Sequence, residues 1–165
     1  MRVRNPSGIK LILYVDFMSQ PSQALIAFCR MNGIEHEIRK VSVVQAENKS
    51  KEFSKINPAR QVPAIQEVGP DGQVVFTMSE SHAIMRYLAV SRNCPDNWYP
   101  ADLEKRAIVN NYLDEHHNFL RQGLGVYVFK KLFSPMINNY TYTEEELEWN
   151  KDRLVRGLAL MEARL

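Results

Sequence analysis

Alternation of apolar and polar positions divides the chain into two halves with different periods. In the first half the apolar runs are short and β-branched: Ile9 to Val15, a weaker His36 to Val43, Val62 to Gln66, and Val74 to Thr77. Each has the length and composition of a strand. Between them the period becomes helical. Gln20 to Asn32 carries Ala24, Leu25, Phe28 and Met31 along one side with Gly33 as a stop signal, and a short helix is expected around Lys51 to Ile56. Gly69-Pro70-Asp71-Gly72 supplies turn chemistry between the third and fourth strands. Ser79 is expected to cap a helix running through Val90, with Ile84, Leu88 and Ala89 on one face. The order β-α-β followed by β-β-α predicts a mixed sheet with helices on both faces. Thioredoxin-like folds have that order, and other small α/β folds share it.

The second half is helical throughout. Residues 92–101 lack periodicity and contain two prolines, which marks them as a linker between a domain at 8–91 and another at 102–165. Asp102 is placed to cap a long helix carrying Leu103, Ala107, Leu113, Leu120 and Leu124, loosened near Gly123 and Gly125. Thr143 with Glu146 three residues on forms a capping box, and the helix it starts repeats Leu147, Leu154, Leu158, Met161 and Leu165 on one stripe. That stripe runs to Leu165 with no stop signal after it, so the helical domain is expected to be partial and to leave apolar surface uncovered.

Composition narrows the class without naming the chemistry. The 165 residues are 45% apolar and 24% charged, as in a soluble globular protein, with room for one ordinary domain or two small ones. A net charge of +2 gives no basic footprint for nucleic acid or an anionic membrane. No apolar run approaches the roughly 20 residues of a membrane span, and the N-terminus lacks a signal-peptide core. Cys29 and Cys94 form no C-x-x-C pair and suggest a reducing compartment, hence a cytoplasmic protein. The terminal Ala163-Arg164-Leu165 matches the small-basic-leucine peroxisomal address, although the interior of a helix gives the same three residues.

The junction Met18-Ser19-Gln20-Pro21-Ser22 joins the first strand to the first helix. A serine there has its hydroxyl near the positive end of the helix dipole, where an anion is best stabilised. Proline in the first turn is cheap because its missing N–H would be unpaired anyway. The bland alternative is an ordinary N-cap. Further along stand Asn57-Pro58-Ala59-Arg60-Gln61-Val62-Pro63-Ala64-Ile65, then Ser79-Glu80-Ser81-His82, then Asp96-Asn97-Trp98-Tyr99-Pro100, then Asp114-Glu115-His116-His117-Asn118 through Arg121.

This set, in this order, resembles the glutathione S-transferases, and within them the theta class. The resemblance runs from about Ile9 to the end of the chain. It implies a thioredoxin-like α/β domain followed by an all-α domain, incomplete here without the terminal helices, and glutathione as co-substrate with no metal. It implies that Ser19 hydrogen-bonds the glutathione sulfur and holds it as thiolate, and that Gln20, Asn48, Lys49, Gln61, Val62, Glu80 and Ser81 bind the rest of the tripeptide. Glu80 and Ser81 would hold the γ-glutamyl end at a helix terminus. Val62, before a cis proline, would offer its backbone to the cysteinyl part. Asn118 and Arg121 match positions near the electrophile pocket. Family partners are small electrophiles such as halides, epoxides and organic hydroperoxides, and a second subunit in a homodimer serving detoxification.

Two positions depart from the pattern: Gln61 stands where lysine is common and Asn48 where histidine is common. Both family residues favour the glycine carboxylate, and neutral amides lose the charge assistance that about doubles such contacts. Arg60 or Lys49 is a neighbouring source of charge. A transferase-fold binding module without catalysis, or an inactive fragment, is the alternative these departures raise. Tyr14 in the first strand is read as a core or edge aromatic rather than a thiol activator, Ser22 as structural, and Cys29 as a small core residue. His116-His117 is not a chelating pair, since adjacent helical residues point about 100° apart.

Overall fold

The computed structural model describes residues 8–163, which fall into two compact units meeting between Ala101 and Asp102. Of the carboxyl-terminal Ala163-Arg164-Leu165, the last two residues lie outside the described range, as does the end of the expected stripe at Leu165.

In the first unit, strands β1 (Lys10–Val15), β2 (Glu37–Lys40), β3 (Ala64–Val68) and β4 (Val74–Ser79) form one sheet in the order β2-β1-β3-β4. β1 runs parallel to β2 and antiparallel to β3, which is antiparallel to β4. Helices α1 (Gln20–Met31), α2 (Lys51–Ile56) and α3 (Ser81–Ser91) complete the unit. This is the mixed α/β, thioredoxin-like arrangement that the strand and helix order implied.

Two apolar clusters cover the two sheet faces, as period-2 alternation along β1 requires. Leu11, Leu13 and Val15 pack with Leu25, Phe28, Cys29, Ile34, Ile65, Ile84 and Leu88, while Ile12 and Tyr14 pack with Val41, Phe53 and Ala64. α1 ends as Gly33 predicts. Gly33 takes φ +60°, its N–H donates to Arg30, and the N–H of Ile34 donates to Cys29 at 2.8 Å. That is the paired bond pattern of a left-handed helix stop.

Burial pushes the Cys29 thiol up to about 12. Above the ordinary cysteine range the unfolded chain loses this proton and the folded chain keeps it, so stability falls as pH rises from about 9 toward 12. Cys29→Ala should flatten that alkaline limb in denaturant titrations, whatever it does to stability at neutral pH. Parallel limbs for the two proteins would show that Cys29 ionises as freely folded as unfolded.

Two departures from the expected boundaries bear on the site. β3 begins at Ala64 rather than Val62, because Pro63 has no N–H to give the ladder. The helix expected to be capped by Ser79 instead has Glu80 at its N-cap: Ser79 is the last residue of β4, paired with Ala64, and Glu80 takes the sharp turn at φ +71°. Residues 92–101 have no regular element, as a linker would, yet they pack on the first unit. Trp98 sits edge-on to Phe28 with centroids 5.2 Å apart, and the buried Arg92 pairs with the Glu67 carboxylate.

The second unit begins at α4 (Leu103–His116), where the Asp102 carboxylate accepts from the N–H of Lys105 at 2.9 Å. The rod continues through a π-helical run, His117–Gly125, then α5 (Val126–Val128), a second π segment, Phe129–Phe133, and α6 (Ser134–Ile137). Long π runs are rare, and this one is where the glycines suggested loosening. The reason Gly123 is there is steric. A β-carbon on it would lie 2.4 Å from the backbone N of Leu154, so only glycine lets the rod approach α7 (Glu144–Glu162) this closely.

The capping box of α7 is present, with the Thr143 hydroxyl accepting from Glu146 N–H and the Glu146 carboxylate accepting from Thr143 N–H. Its inward stripe is Leu147, Asn150 and Gly157, all buried; Leu158, expected inward, is 51% exposed. The buried face thus keeps Leu147 from the leucine stripe and continues through Asn150 and Gly157 rather than Leu158. Leu103 of the first stripe is exposed too, as are Ile108, Leu132, Met136 and Val155, which belong to neither stripe.

Candidate functional site

Register brings the implied glutathione-binding segments of the first unit to one end of the sheet. Tyr14 of β1 pairs with Ala64 of β3, which pairs with Ser79 of β4, and Val15 pairs with Lys40 at the end of β2. Ser19 and Gln20 therefore follow the end of β1, Asn48 and Lys49 follow the end of β2, Gln61 and Val62 precede β3, and Glu80 and Ser81 follow β4. Asn118 and Arg121 stand in the second unit, on the π-helical run, where the Asn118 carbonyl accepts from Arg153.

Ser19 is the N-cap of α1 but its side chain makes no capping bond. Its backbone is engaged: its N–H donates to Asp16 O and its carbonyl accepts from Gln23 N–H, each at 3.0 Å. The residue is held while its hydroxyl stays uncommitted, at a half-exposed position at the positive end of a twelve-residue helix. Ser22 differs, fully buried with its hydroxyl accepting from Asp16 N–H. Tyr14 is also committed. Its hydroxyl donates to Gln66 at 2.8 Å and accepts from Arg39 at 3.1 Å, which ties it into the sheet.

The Val62-Pro63 bond is cis. The turn before it is fastened by two buried asparagines. Asn57 donates to Gln61 O and accepts from Ala59 N–H, and Asn48 donates to Arg60 O at 2.7 Å. Asn48 thus spends its amide N–H on the turn, and its Oδ1 is buried without a partner. Its observed contact is with the loop that precedes Val62. Lys49, Arg60 and Gln61 are exposed on the same segments, with Arg60 in the left-handed region at φ +55°.

At α3 the exposed Glu80 holds its positive φ just before the buried Ser81, and the first N–H groups of the helix point out past them. Non-glycine residues in such conformations cost about 1–3 kcal/mol and cluster at ligand sites.

Sequence reasoning missed Asp16 and Asn57, both buried, whose side chains fasten the site loops. The only sign in the sequence is their type, since Asp and Asn at strand and helix ends fold back on the next amides. The adjacent rings of His116 and His117 meet edge-on at 6.1 Å. Burial and the neighbouring Arg121 hold the His116 imidazole below its usual range.

The model for the glutathione S-transferase N-terminal domain matches residues 19–90. Mouse glutathione S-transferase theta-2 is 38% identical over 92% of this chain and 59% of its own length. The human theta-2 transferase solved with glutathione is 35% identical, with TM-score 0.80 over 90% of this chain and 58% of that one. Glutathione S-transferase-I solved with lactoylglutathione is 30% identical, with TM-score 0.73 over 94% of this chain and 70% of that one. The chain belongs to the glutathione S-transferase family, and its likeness among these relatives is to the theta class. It spans about 59% of the length of the theta-2 relatives.

Proposed function

We propose that the protein is a theta-like glutathione transferase that holds glutathione as thiolate through Ser19. The observation that carries this is the uncommitted Ser19 hydroxyl at the helix α1 terminus, on a residue whose backbone is fixed on both sides. When glutathione binds, its thiol proton leaves to solvent and the hydroxyl donates to the sulfur. The thiolate then attacks an electrophilic carbon, forming the C–S bond as the leaving group departs with its electron pair. Halides and epoxides fit that step. Organic hydroperoxides fit attack on oxygen instead, with a second thiol closing the disulfide. Val62 backbone, Gln20, Glu80 and Ser81 hold the tripeptide, and Asn118 and Arg121 of the second unit are the candidates for contact with the electrophile in a dimeric, detoxifying enzyme.

Gln61 and the buried Asn48 leave Lys49 and Arg60 as the cations for the glycine carboxylate. A glutathione-binding module with no turnover is the second reading, favoured by the same two neutral positions. Calorimetry with glutathione and turnover with a general aryl halide separate them: binding with turnover supports the transferase, binding alone the module, and no binding refutes both. Gln61→Lys should tighten glutathione by about 0.5–1 kcal/mol at low ionic strength, fading as salt is added. Equal affinities would mean that Arg60 or Lys49 already supplies the charge.

A further inference from the structure

Asp16 lies two residues past Tyr14 at the end of β1 and is 4% exposed, an acidic side chain that nothing in the proposed chemistry uses. Its carboxylate is divided between two loops. Oδ1 accepts from Met18 N–H at 2.8 Å, and Oδ2 accepts from Val43 N–H at 2.7 Å across 27 positions of sequence. Its backbone is tied as well, the carbonyl accepting from Ser19 N–H at 3.0 Å and the N–H donating to the buried Ser22 hydroxyl at 3.4 Å. One residue therefore fixes the turn 17–19 that presents Ser19, and joins that turn to the segment after β2. Asn48 of that segment in turn holds the Arg60 carbonyl before Val62.

We infer that Asp16 is the positioning residue of the Ser19 hydroxyl, setting the turn that aims it at the sulfur; this rests on the proposed role of Ser19. Hydrogen bonds with one ionised partner are about twice as strong as neutral ones, and a reacting group must be held within about 0.5 Å of its working position. Short carboxylate bonds from a buried anchor meet that need where the Ser19 side chain makes no bond of its own to the helix. An amide at position 16 would accept with only one atom, so one of the two loops would face an N–H where it now meets an oxygen.

The test compares Asp16→Asn, Asp16→Ala and Asp16→Ser with wild type, alone and in the Ser19→Ala background. It reads the pH profile of turnover with an aryl halide, the glutathione affinity by calorimetry, and the thermal transition. Asp16→Ala should lower turnover about tenfold below the thiol titration and move the profile toward that of Ser19→Ala, with affinity changed less than about threefold. Asp16→Ser, whose hydroxyl can still accept from Met18 N–H, should recover part of that loss. Combined with Ser19→Ala, no Asp16 substitution should add much, because the hydroxyl being aimed is already gone.

An unchanged profile in Asp16→Ala, or a loss that adds in full to that of Ser19→Ala, overturns the inference and leaves the transferase reading standing. A wild type that binds no glutathione overturns both. If none of the three single variants folds, the carboxylate serves the fold rather than Ser19, and the inference is refuted.

Discussion

Removing the Glu67 carboxylate alone should destabilise the first unit by about 3–5 kcal/mol, the largest stability loss expected from one side chain. Glu67 on β3 and Arg92 just past α3 form an ion pair whose side chains are 8% and 0% exposed, and Tyr87 donates to the second Glu67 oxygen at 2.9 Å. Without the carboxylate the Arg92 guanidinium is left buried with no anion. That exceeds the usual effect of losing a hydrogen bond, about 1 kcal/mol. Replacing both partners by apolar groups of similar volume, Glu67→Leu with Arg92→Met, should recover most of the loss. Urea titrations decide the matter: a single variant as stable as wild type would show that water reaches the pair, and a double variant as poor as the single would show that the charges themselves hold the fold.

Ser19→Ala should lower turnover about ten- to a hundredfold, the consequence of losing a hydrogen bond of about 1.5–3 kcal/mol made to the thiolate. Glutathione affinity should change little, since Val62, Glu80 and Ser81 are untouched. Stability should change little as well. An N-cap serine replaced by alanine ordinarily costs about 1 kcal/mol, but this hydroxyl makes no capping bond to lose. The loss of turnover should shrink as pH rises, because alkaline solution ionises the thiol without help. Tyr14→Phe removes a donor already committed to Gln66 and should leave turnover near wild type. The reverse outcome, normal turnover in Ser19→Ala and none in Tyr14→Phe, would transfer the chemistry to the tyrosine.

Much of the first unit was legible because its signals are local. β-branched runs and Gly33 as a stop are set by neighbours in sequence, as is the Thr143–Glu146 box of the second unit; the stop and the box are found where they were read, and each run coincides with a strand whose ends are shifted. The order of motifs carried the family. What escaped were effects set at a distance. The Asp16–Val43 bond spans 27 positions and the Glu67–Arg92 pair 25, so no window of sequence contains both partners.

The bond from Asn48 to Arg60 O escaped for a related reason, since it joins positions twelve apart and depends on packing. The close approach of Gly123 to Leu154 is a contact between helices that neither pattern encodes.

If the Ser19 hydroxyl stabilises a bound thiolate, the thiol itself reports on it. The ultraviolet absorbance of the thiolate of bound glutathione, titrated against pH in wild type and Ser19→Ala, measures that stabilisation without any electrophile. Wild type should ionise the bound thiol about one to two units below the ordinary value near 8.5, and Ser19→Ala should return it to that value with glutathione still bound. Identical titrations in the two proteins, with glutathione bound to both, would contradict the account.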